Sequence, residues 1–130
     1  MAVSAVDPGA RVALGDAFLG RIPGGTFRLF SNSANSANNY VSSHALGGPA
    51  GTVANNGQVQ MAAIGLNASA INAGAISHGV FFNAGGVGQW RCNVSNAAGA
   101  GIDFVMTPSN VAVVGAPIGI GLLVFNIANI

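Results

Sequence analysis

The sequence predicts a mainly β protein: an antiparallel β-sandwich of jelly-roll-like form with one N-terminal α-helix, in a single domain over residues 1–130. Three observations carry this expectation. From position 26 onward, short runs alternate apolar and polar residues, the period of a half-buried strand. Clusters of Gly, Pro, Asn and Ser separate these runs at roughly the 8 to 12 residue spacing of sandwich strands. Helical periodicity is confined to the front of the chain, where Asp7-Pro8 supplies an aspartate able to accept from free amides and a proline preset for the first helical turn.

The helix is expected over about 8–20, with Val12, Phe18 and Leu19 as its apolar stripe, Ala13 and Leu14 between them, and Arg11, Asp16 and Arg21 outward. Ile22-Pro23-Gly24-Gly25 ends it. A strand over about 26–31 follows, with Phe27 and Leu29 on one face and Thr26, Arg28 and Phe30 on the other, which makes Arg28 a solvated outward position. Residues 32–57 read as a long polar loop, with Tyr40, Val41 and Leu46 as a short strand inside it. Further strands are expected over about 58–64, 76–83, 87–95, 102–107, 111–114 and 118–127. Asn83-Ala84-Gly85-Gly86 is the hairpin turn of the third and fourth of these seven strands. The inward set is Phe27, Leu29, Met61, Trp90, Cys92, Phe104 and Met106, and Gly119 and Gly121 leave room for a facing aromatic such as Trp90 or for a close backbone approach.

Charge narrows the function classes. Charged residues make up 5% of the chain, against about 25% in an ordinary soluble domain, so little repulsion keeps copies apart. There is no lysine and no glutamate, and four arginines against Asp7, Asp16 and Asp103 leave a net charge of +1, too little to track phosphates: no nucleic-acid partner is expected. The single Cys92 excludes an internal disulfide, and His44 and Cys92 have no ligand spacing around them, so no metal, cofactor or catalytic residue is assigned and no enzyme is expected. The N-terminus lacks the charge and apolar run of a secretory signal. Residues 111–130 are uncharged and long enough to span a bilayer, but Pro117, three central glycines and the absence of flanking basic residues argue for strands and no membrane.

The order of elements, namely the front helix, GGTFRLF, a polar low-complexity loop, GVFFNAGGVGQWRCNVS, GIDFVMT and a long last strand, resembles a family of small structural proteins encoded in tailed-phage genomes. The resemblance covers about residues 12–127. It implies a virion component, made in the host cytoplasm, that decorates or cements the outer surface of a capsid shell and has the phage major capsid protein as partner. Low charge points separately to self-association, with a trimer preferred to a dimer. The interface is expected at the chain ends, Met1, Val3, Val6, Asn126, Ile127 and Ile130, with Arg28 and Arg91 at a polar rim. The alternatives are a tail, collar or baseplate component and a carbohydrate-binding module.

Overall fold

The computed structural model describes residues 7–31, 40–54, 58–61, 67–106, 109–120 and 123–126. These form the helix α1 (Pro8–Arg21) and the strands β1 (Thr26–Phe30), β2 (Ser42–Ala45), β3 (Gly51–Val53), β4 (Gln58–Met61), β5 (Asn67–Ser69), β6 (Gly74–Ala75), β7 (His78–Phe82), β8 (Gly88–Ser95), β9 (Phe104–Val105), β10 (Val111–Ala112), β11 (Pro117–Gly119) and β12 (Val124–Asn126). The architecture is mainly β, with one helix and a curled, antiparallel-rich sheet at its centre. That sheet has the order β2-β1-β7-β8-β9, and smaller sheets pair β10 with β6, β11 with β5, and β12 and β3 with β4.

The helix begins where the sequence places it, with Pro8 in its first turn, but the Asp7 side chain makes no capping bond. The Asp7 carbonyl instead accepts from the Arg11 amide at 3.0 Å, the ordinary first helical bond. Phe18, Leu19 and Ile22 are buried. Gly15 lies so close to Val53 and Val59 that a Cβ there would stand 2.9 Å from Val53 methyls, so α1 rests directly on the β3–β4 pair. Leu14, expected within the apolar stripe, is 46% exposed.

The glycines before β1 have separate jobs. Gly24 takes φ +71°, open to glycine at little cost, in the turn out of the helix. A Cβ on Gly25 would collide with the Phe82 carbonyl, so only glycine lets the chain enter β1 alongside the end of β7. From there β1 runs between β2 and β7, with Phe27 opposite His44 on one side and Phe81 on the other. Phe27 and Leu29 join Phe18, Ile22, Val59, Met61, Phe81, Cys92 and Val94 in the main core. The opposite face of the sheet is also covered: Phe30, Val80 and Phe82 form a second buried cluster against Tyr40. Every position of β7 is therefore buried, as in a strand with both faces covered.

Several strands differ from the sequence expectation. Within 32–57, strands β2 and β3 form, and the short strand expected around Tyr40, Val41 and Leu46 lies between them at Ser42–Ala45. Its inward residues are polar: Ser42 and His44 point into the core, 2.9 Å apart. The expected 118–127 strand is two, β11 pairing with β5 and β12 with β4. The 102–107 strand shortens to β9 and runs parallel to β8, not antiparallel. So short a parallel return is held by polar groups: the Asn93 amide donates to Asp103 Oδ2 at 2.7 Å, and Asn93 Nδ2 donates to the Gly101 carbonyl at 2.9 Å.

Trp90 corrects the inward set. It shares a face with Cys92 and Val94, as alternation requires, yet is 47% exposed. The register slips between Phe81 and Phe82, which pair with Trp90 and Gly88, so Gln89 is an extra residue. Trp90 thus sits at the end of the covered face, with its ring edge-on to Phe18 at 5.2 Å. It does not fill the space beside Gly119.

Candidate functional site

Arg28 is half-buried rather than solvated. Its guanidinium lies 4.6 Å from the Tyr40 ring centroid and 5.4 Å from that of Phe82, and Nε donates to Ser43 Oγ at 3.1 Å. Alternation placed Arg28 correctly on the face of Phe30, but that face carries its own aromatic cluster, so the arginine covers it with its stem and planar head. Arg91 is exposed and lies across Val80 from Arg28 in the strand register. Asn126 ends β12 opposite Gln58. The other residues expected at an interface, Met1, Val3, Val6, Ile127 and Ile130, fall outside the described residues.

The two histidines are buried in different layers. His44 pairs with Ser42 on the core side of β2. A hydroxyl beside an imidazole is the start of a nucleophilic arrangement, but Ser42 is 0% and His44 1% exposed, so no substrate reaches them. His78 stacks on Phe30, with centroids 5.3 Å apart and planes 7° from parallel, and its Nδ1 is 2.9 Å from Ser77 Oγ. Burial, and secondarily the positive charge of Arg91, hold its pKa below the ordinary 6.5. Cys92 is buried with Sγ 3.6 Å from the Gly79 carbonyl. Burial is the main cause pushing its thiol pKa up to about 12, and the Asp103 carboxylate adds to the rise. Among the described residues no three of His, Cys, Asp or Glu gather as metal ligands do. No described helix is long and apolar enough to cross a membrane.

The surface offers a different kind of site. Trp90, Val87 on the same hairpin, and Leu14, one helical turn before the Phe18 that Trp90 meets, are all about half exposed or more. Arg21 and Gln89 meet at 3.4 Å beside them. A second apolar region is built by the β10–β11 turn. Val111, Val113 and Val114 are each more than 60% exposed. The Gly115 amide bonds to the Ala70 carbonyl, which brings this turn beside exposed Ile71. Sequence reading missed both. Val111 and Val113 share a strand face in VAVV, but the short β10 pairs only with the two-residue β6 and nothing among the described residues covers that face.

This geometry presents apolar area with little charge around it, and among the described residues it brings together no reactive groups at the surface. Comparison with known families, characterised proteins and solved structures finds no match to this chain.

Proposed function

We propose that the protein is a virion structural component, a capsid decoration or cement protein that self-associates and stabilises a phage shell from its outer surface by contact with the major capsid protein. The observation that carries this reading is the pair of exposed apolar regions, around Trp90 and around Val113, on a chain with only 5% charged residues. Clustered exposed apolar surface of this kind favours an interface, and low charge removes the repulsion that keeps monomers apart. In this reading the central sheet and the smaller sheets close as the two layers of a jelly-roll-like antiparallel sandwich. The test is sedimentation of the purified chain, followed by binding to undecorated phage shells. An oligomer that binds shells and raises their melting temperature is expected; a chain that stays monomeric and leaves the shells unaltered would refute the proposal.

One observation favours a second reading, a carbohydrate-binding module. Trp90 presents a half-exposed ring next to Gln89, which accepts from Arg21, a platform on which a sugar can stack. A glycan array discriminates the two: a specific signal abolished by Trp90→Ala supports the module.

A further inference from the structure

β1, β8, β9 and β11 border a pocket of about 210 Å³ that opens from the main core to the surface, its lining shared about evenly between apolar side chains and polar backbone atoms. Its floor is Phe27, Leu29 and Val94, all nearly inaccessible to solvent, and its mouth is formed by half-buried Phe104, Met106 and Leu123. None of the described side chains lining it carries a charge, a hydroxyl or an amide. The side chains thus offer a guest apolar contact alone, and an engineered apolar cavity of about 150 Å³ takes up benzene or xenon.

The floor is braced against collapse. The Phe27 ring packs on Phe81 with centroids 4.5 Å apart. It also lies over Gly79, where a Cβ would come within 2.5 Å of the ring. These two contacts hold the Phe27 ring in place at the floor. At the mouth, the unbranched Met106 has the torsional freedom to let a guest pass.

We propose that this cavity is a binding site for a small apolar molecule, a single aromatic ring or a short branched alkyl group. Its size sets the class: it exceeds the engineered benzene site, yet falls below the roughly 300 Å³ at which pockets for drug-sized ligands begin. The lining sets the chemistry, because a charged guest would be desolvated with no side chain to compensate it. The site is separate from the exposed regions around Trp90 and Val113 and does not depend on assembly.

Toluene is the probe. Titrated into the full chain, it is expected to shift the methyl resonances of Leu29, Val94 and Ile120 saturably, to leave the Val80 methyls in the second cluster unmoved, and to raise the melting temperature. Leu123→Phe, which puts a ring at the mouth, is expected to abolish the saturable shift, and Ile120→Phe gives an independent filling of the same space. The absence of any saturable shift in the native chain overturns the proposal, whatever the variants do. So does a shift of equal size at Val80, or one that survives in both folded variants. Toluene uptake that falls as protein concentration rises also overturns it, because the occupant is then a neighbouring chain.

Discussion

His78 is the residue whose chemistry reaches furthest into stability. Its pKa is depressed in the folded chain by burial and by Arg91, so the unfolded chain binds the proton more readily. The stability it contributes is fully present above its unfolded value of 6.5 and is lost as pH falls through that value toward the lower folded pKa. Thermal melts between pH 8 and pH 5 are expected to show a falling midpoint below about pH 6.5, with a shallower fall in His78→Gln. Equal slopes in the two proteins would count against this role. Cys92 supports a second expectation. With its thiol pKa near 12 and its side chain buried, it carries almost no thiolate at pH 8, so alkylation by iodoacetamide should be slow in the native chain and rapid in denaturant. Fast native labelling would mean that β8 opens readily. Arg28 shows how far a sequence reaches at this scale: its face follows from alternation, whereas Tyr40 and Ser43 come from one distant segment and Phe82 from another, with no local signature.

At the scale of elements, α1 and the β7–β8 hairpin support each other through one aromatic cluster. Phe18 meets Phe81 edge-on at 5.3 Å and Trp90 at 5.2 Å. Since Phe18 is buried and Trp90 about half exposed, Phe18→Ala is expected to cost about 3–5 kcal/mol. Trp90→Ala should cost about 1–2 kcal/mol, in proportion to the smaller area it removes from water. Denaturant titration of both variants checks the order, and a larger loss at Trp90 would reverse the assignment of the covered end of the sheet. The hairpin was legible because its arms are adjacent and its turn is spelled out: the Gly86 amide bonds to the Asn83 carbonyl, and the Val87 amide to Asn83 Oδ1. What escaped was the extra residue at Gln89, which puts Gly88 and Trp90 on opposite faces although they are two residues apart. Strands β5 and β6 escaped for a different reason. At two or three residues each, built largely of Gly, Ala and Asn, they are too short to display a period.

For the whole molecule, the exposed valines of the β10–β11 turn and the low charge lead to one expectation. Sedimentation over rising concentration should give masses above the 12.8 kDa of one chain, with a trimer preferred, and Val113→Asp should shift the equilibrium toward monomer. A monomer throughout the micromolar range would remove the assembly argument. The pairing of distant segments has a consequence of another kind, in time. Asn67 to Ser69 meet Gly119 to Pro117, and Gln58 meets Asn126, so each of the four sheets among the described residues contains a strand drawn from the final quarter of the chain, β9, β10, β11 or β12. During synthesis the β7–β8 hairpin and the β3–β4 pair can close as soon as they emerge, while β5, β6 and the second edge of β4 wait unpaired until the last strands arrive. Loop closure over such separations is entropically costly before any contact rewards it. The rate-limiting event in folding is therefore expected to be the docking of residues 111–126 onto a central sheet that has already formed, and the nascent chain is most vulnerable to aggregation in the interval before it.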